Sequence, residues 1–369
     1  MKNLFSPCVI GKMALKNRFV RSATEDWLGT PDGRITAEKM ALYEQLAAGG
    51  VGTIITGHAY VAHPHGRAAQ KQNGIWDDKY VEGWRELARL VHKHEARLVL
   101  QLAHAGRQTA PEIIEGEMPV APSDLFDETG AQTARALTEA ELQQLAQDYA
   151  AAARRAKEAG CDGVQLHMAH GYLLAQFLSP YTNRREDEYG GSWEKRVRFP
   201  LEVVASVRQE VGLDFPLWIK LNSTDGLPET MQPQLALAEV VQYAKQFAAA
   251  SVDAIELSGG TIKENRLVMA KPGIRTAKDE AYFQAAAEAV KAAVEVPVIL
   301  VGGMRSRAVM QEAINEGKAD LVSMSRAFIC EPDLVKRLAA GQEKASCVSC
   351  NGCFNPQGIR CILPDKNKA

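Results

Sequence analysis

The chain has 369 residues, 46% of them hydrophobic and 24% charged, which is enough apolar material for a sizeable globular core. Its net charge of −2 comes without a dominant basic or acidic block, so nothing electrostatic calls for nucleic acid or a membrane surface as partner. No apolar run approaches the ~18 residues of a membrane helix, and the start, Met1-Lys-Asn-Leu-Phe-Ser-Pro, lacks a secretory pattern; a cytoplasmic protein is expected.

In chain order, short runs rich in Val, Ile and Leu recur at Phe19–Val20, Gly52–Thr56, Arg97–Leu102, Gly163–Leu166, Leu217–Leu221, Ala254–Leu257, Val298–Val301 and Leu321–Ser323. Each is too short for a helix and none alternates strictly, as expected of parallel strands buried on both faces. Helical patterns lie between them. Thr138-x-x-Glu141 is a capping box before a helix through Ala159, with Gly160 as its stop. Ser192 opens a helix through Glu210 that Pro200 should kink, and Ser306 opens another that Gly317 closes. Strand and helix alternating in this way predict an α/β fold, a single-domain (β/α)8 TIM barrel over 1–341, with its site at the C-terminal strand ends. Thr109–Arg135 is a long insertion after strand 3, expected over the active-site face, and 342–369 is a Cys-rich C-terminal extension.

Three strand ends carry residues suited to chemistry. His167, His170 and Tyr172 follow the fourth run, where two imidazoles and a phenol can grip a carbonyl oxygen and deliver a proton. Zinc is the competing reading of the two histidines, although this segment supplies no clear third ligand. Gly302 and Gly303 end strand 7, and Ser325-Arg326 follows strand 8; loops there are the usual phosphate site of this barrel. Lys220, flanked by Trp218, Ile219 and Leu221, should be buried. In the tail, Cys347, Cys350, Cys353 and Cys361 are spaced to bind an iron–sulfur cluster or zinc, or to form a structural thiol cluster. Cys8, Cys161 and Cys330 read as small buried residues.

The run from Val164 to Gly191, with His167-Met-Ala-His170-Gly-Tyr172, Gln176-Phe-Leu-Ser-Pro and Asn183-Arg-Arg-x-Asp-x-Tyr-Gly-Gly, closely resembles the signature of the old yellow enzyme family. Gln101-Leu-Ala-His-Ala-Gly-Arg107 and Leu15-Lys-Asn-Arg-Phe-Val-Arg-Ser-Ala-Thr24 are further matches, and the likeness runs to about residue 340. The resemblance implies an NAD(P)H:flavin oxidoreductase, an ene-reductase that uses FMN and takes NADH or NADPH as reductant by a ping-pong route. It implies that His167 and His170 bind the carbonyl of an enone or enoate while Tyr172 protonates the α-carbon. It places Ser22, Ala23, Thr24, Gly57, Gln101 and Lys220 against the flavin ring, and Gly302, Gly303, Ser325 and Arg326 at its phosphate. His104 and Arg107 are better read as structural.

Two departures stand out. Glu25 falls where relatives carry Thr or Cys, and a carboxylate there disfavours an anionic reduced flavin unless it is protonated or turned away. Lys220 replaces the usual Arg, keeping charge but losing the fork. The tail is similar to the segment that carries a 4Fe-4S cluster in dienoyl-CoA reductase-like and amine dehydrogenase-like members, with a shorter last spacing. The alternative is such an enzyme, exchanging electrons with a separate partner. A homo-oligomer is compatible with the sequence.

Overall fold

The computed structural model describes residues 3–363, so Met1, Lys2 and the last residues of the 342–369 extension lie outside the described residues. Eight strands form a closed parallel ring: β1 (Phe19–Arg21), β2 (Thr53–Ile55), β3 (Arg97–Ala103), β4 (Gly163–Met168), β5 (Leu217–Asn222), β6 (Ala254–Ser258), β7 (Val298–Leu300) and β8 (Leu321–Met324). Each strand pairs with its neighbours in sequence, and β8 closes on β1 through Val322 opposite Phe19 and Met324 opposite Arg21. All eight predicted strands are present, and the molecule is a (β/α)8 barrel.

The helices that follow the strands are α1 (Ala37–Ala48), α2 (Val81–His92), α3 (Glu139–Glu158), α4 (Arg198–Val211), α5 (Leu237–Ala249), α6 (Gln284–Lys291), α7 (Arg307–Asn315) and α8 (Leu334–Ala339). The capping box of α3 is formed: Thr138 Oγ1 accepts the Glu141 N–H, and Glu141 Oε2 accepts the Thr138 N–H. Their apolar stripes pack on the strands, placing Trp84, Leu87, Tyr149, Phe199 and Tyr243 in the layer between helices and barrel.

A smaller apolar group fills the opposite end. The antiparallel hairpin Cys8–Ile10 and Met13–Leu15, not anticipated from sequence, sends Ile10, Met13 and Leu15 against Val20, Ile55, Val99, Trp218, Ile299 and Leu321. The N-terminal end of the barrel is thereby plugged.

The helix opened by Ser192 is interrupted one turn before Pro200, into Trp193–Arg196 and α4, because Pro200 has no N–H for the Arg196 carbonyl. The Thr109–Arg135 insertion forms a small sheet from Val120–Ala121, Leu125–Phe126 and Gln132–Ala136 that lines none of the main cavity. It is held to one side, where Arg185 donates to the Pro122 and Leu137 carbonyls and Arg184 N–H donates to Ser123 Oγ.

Candidate active site

A cavity of about 570 Å3 opens at the C-terminal ends of the strands. Its wall collects side chains far apart in sequence: Ser22, Ala23 and Thr24 after β1, Gln101 from β3, His167, His170 and Tyr172 from β4 and its loop, Lys220 from β5, Gly303 after β7, and Ser325 and Arg326 after β8. Gly57 and Gly302, also expected at the cofactor, lie just behind this wall. A Cβ on Gly57 would sit 2.8 Å from the Thr24 carbonyl, so glycine permits a close approach between two strand ends here. Gly302 holds φ at 134° while packed on Phe283, and Gly303 follows at 68°.

His170 adopts a left-handed backbone, φ 62°, costly for a non-glycine residue. Three hydrogen bonds impose it: its N–H donates to Asn222 Oδ1, and its carbonyl accepts from Gln108 Nε2 and from the Ile262 N–H. The ring lies 2.7 Å, through Nε2, from Ser258 Oγ and 5.1 Å from the His167 ring. His167 is enclosed, and its Nδ1 has no hydrogen-bond partner. Burial, reinforced by neighbouring cations, holds both histidines well below their ordinary range, so both are neutral at physiological pH. Tyr172 lies with its ring 4.6 Å from that of His167. Burial, with Glu25 nearby, pushes its phenol up.

Beneath these groups runs a buried polar chain. Gln101 Nε2 donates to Gln165 Oε1 at 2.7 Å, and Gln165 Nε2 to Glu256 Oε2 at 2.9 Å. Ser22 and Ser323 hydroxyls donate to Glu256 Oε1. Lys220 Nζ donates to Ser22 Oγ at 2.8 Å and lies 3.4 Å from Glu256. Burial holds the Lys220 ammonium below the usual lysine range despite this pairing; Glu256, for all its burial, is kept below the carboxylate range by Lys220 and its hydrogen bonds. Glu256 and Gln165 were missed in the sequence, although a carboxylate or amide inside an otherwise apolar strand is itself a signal.

His58 was missed too. It follows Gly57 beyond β2, lines the cavity, and stands with Nε2 3.0 Å from the Tyr172 hydroxyl and 3.2 Å from Glu25 Oε2. Burial lowers His58 to about 4, so it too is neutral. Glu25 is held by the turn at Trp27, whose N–H donates to Glu25 Oε1. Burial, with Asp26 adding to it, pushes Glu25 up to about 8, so this residue is a neutral carboxyl near pH 7. The electrostatic conflict raised by a carboxylate at that position is thus relieved.

His104 and Arg107 lie outside the cavity wall. His104 Nδ1 accepts the Gly106 N–H, and Arg107 pairs with Glu264 on the helix Ile262–Met269 that edges the mouth. Around the phosphate loops, Ser325 Oγ is 2.7 Å from Thr24 Oγ1, while Arg326 donates to the Lys271 carbonyl and to Asn351 Oδ1. Asn351 belongs to the Cys-rich tail, which lies across this side of the mouth; Ile359 N–H also donates to the Asp26 carbonyl.

The donor set suits FMN. His167, whose buried Nδ1 has no partner, and His170 line a cavity of nucleotide size, with amide, ammonium and guanidinium groups along its length and paired positive-φ glycines at one end. Among the described residues no group of three or more His, Cys, Asp or Glu side chains is arranged to hold a metal ion. Of the expected set, Cys347 lies near Cys361 and Cys353, Cys350 is exposed, and Cys361 also hydrogen-bonds with Cys330. The zinc reading of His167 and His170 fails for the same want of a third ligand.

Known proteins give an independent comparison. The family model of the NADH:flavin oxidoreductase / NADH oxidase family matches residues 3–345. The chain is 38% identical to the NADH oxidase of Thermoanaerobacter brockii, over 98% of this chain and 56% of that protein, so it spans about half that relative's length. It is 37% identical to the NADPH dehydrogenase of Geobacillus sp. strain WCH70, over 89% of this chain and 91% of that one. Morphinone reductase in complex with tetrahydroNAD superposes with a TM-score of 0.78 at 29% identity, covering 95% of each chain.

Proposed function

The chain belongs to the NADH:flavin oxidoreductase / NADH oxidase family, the old yellow enzyme family of the sequence resemblance, and from that premise we propose that it reduces the activated double bond of an enone or enoate with electrons from NADH or NADPH. Ser22, Ala23, Thr24, Gln101 and Lys220 would hold the ring of FMN, and Gly303, Ser325 and Arg326 its phosphate, with Gly57 and Gly302 shaping the backbone behind them. The chemistry FMN supplies when bound is hydride transfer, received from the nicotinamide and given to the β-carbon.

The rest falls to side chains. His167 and His170 are neutral, so an N–H of each is available to the acceptor's carbonyl oxygen, which gains negative charge as hydride arrives. Tyr172 stands beside them and gives its hydroxyl proton to the α-carbon, completing addition across the double bond. All three side chains are buried, and the low-dielectric surroundings strengthen these hydrogen bonds. The observation that carries this reading is the pair of imidazoles, His167 and His170, on the cavity wall beside the Tyr172 phenol. The morphinone reductase likeness supports a nicotinamide at the same mouth.

Anaerobic stopped-flow separates the two half-reactions. Tyr172→Phe should slow reoxidation by 2-cyclohexenone about 100-fold and leave reduction by the nicotinamide nearly intact. Equal slowing of both halves would contradict the proton-donor role.

A further inference from the structure

The hydroxyl of Tyr172 has two faces to choose between, His58 and the cavity, and the residues behind His58 decide the matter. Ala68 N–H donates to Gln72 Oε1 at 2.6 Å, which fixes the orientation of that buried amide. Its other end, Nε2, therefore faces His58, 2.6 Å from Nδ1 and 3.2 Å from the His58 carbonyl. An amide NH2 can only donate, so Nδ1 of His58 must accept. A neutral imidazole that accepts at Nδ1 carries its hydrogen on Nε2. That hydrogen points at the Tyr172 oxygen, 3.0 Å away, and at Glu25 Oε2, 3.2 Å away.

We infer that His58, locked in one tautomer by Gln72, is a positioning residue for Tyr172: its Nε2–H occupies the phenol oxygen, so that the phenol's own hydrogen is turned into the cavity toward the acceptor. This rests on the proton-donor reading of Tyr172. The same contact helps after the proton has left. The phenolate remains beside an N–H donor, and a hydrogen bond to a charged oxygen is roughly twice as strong as one between neutral groups. Such help matters here, because burial opposes formation of the phenolate. Glu25 competes for the same Nε2–H. It does so weakly near neutral pH, because burial and Asp26, opposed by Lys39, keep it a neutral carboxyl, a poorer acceptor than a carboxylate. His58 and Tyr172 are in ring contact, at 4.8 Å, so packing joins the hydrogen bond in holding them together.

Two measurements test this. Nitrogen-15 spectra of histidine-labelled holoenzyme should show His58 with a protonated Nε2 and a bare Nδ1; the reverse tautomer would overturn the inference. A double-mutant cycle then separates orientation from packing. His58→Leu should slow enone reoxidation about ten-fold or more, leave nicotinamide oxidation unchanged, and have no further effect once Tyr172→Phe is present. Equal slowing in both backgrounds would mean that His58 merely shapes the wall, and the inference would fall. If Tyr172→Phe itself leaves reoxidation untouched, it is the proposed function that fails, and the tautomer measurement still judges His58.

Discussion

Lys39→Met is the sharpest test of how the floor of Glu25 and His58 is held. Lys39 Nζ lies 2.7 Å from Asp26 Oδ2, and both side chains are only 1% exposed. The ammonium also sits 5.2 Å from the centre of the Tyr43 ring and 5.8 Å from that of Trp84. Met keeps the length of the side chain and removes its charge. The Asp26 carboxylate would then retain the Leu28 N–H on Oδ1, at 3.1 Å, and the Tyr43 hydroxyl on Oδ2, at 3.5 Å, with no cation in direct contact and only the more distant Arg21 nearby. Leaving one partner of such a pair uncompensated costs about 3–5 kcal/mol. With an unfolding entropy of ~2.1 cal/mol/K per residue over 369 residues, that loss lowers Tm by about 4–6 °C. Urea unfolding and thermal scans of the holoprotein would measure both quantities. The double variant Asp26→Asn/Lys39→Met should regain most of the loss, because no buried charge is then left alone. A single variant that loses less than about 1 kcal/mol, or a double variant as unstable as the single, would refute the reasoning.

Two further outcomes follow from the same region. Glu25 has a folded-state value pushed up from 4.5 to about 8, so its contribution to stability is complete below about pH 4.5 and is lost progressively until about pH 8. Wild-type Tm should therefore fall more steeply than that of Glu25→Gln between about pH 5 and 8; parallel curves would show that Glu25 is ionised throughout. Gly57→Ala places a methyl group 2.8 Å from the Thr24 carbonyl, a backbone atom that cannot swing aside. It should cost about 1–3 kcal/mol, measurable by urea unfolding, and an unchanged midpoint would mean that the strand ends separate freely.

The barrel was legible because its signal is repeated: eight apolar runs, each bounded by a recognisable helix start or stop, leave few other arrangements. The His167, His170 and Tyr172 group was legible because its members are close in sequence. His58 and Glu25 were harder to see as a unit. They come from different strand ends and meet Tyr172 only when the ring closes, so no spacing rule links them. Gln72, which sets the direction of the whole contact, is an ordinary loop glutamine until Ala68 fixes its amide. Glu25 could be flagged as a departure, but whether it carried a charge depended on its enclosure and on Asp26. In the tail, the spacing of four cysteines did not reveal that Cys361 also meets Cys330, 31 positions earlier.

The hairpin that plugs the barrel floor has a kinetic corollary. With Ile10, Met13 and Leu15 sealing the far end, reductant and acceptor must enter and leave by the same doorway and take turns over the same patch of wall. Either one in large excess should then obstruct the other, so that turnover passes through a maximum and declines as its concentration climbs.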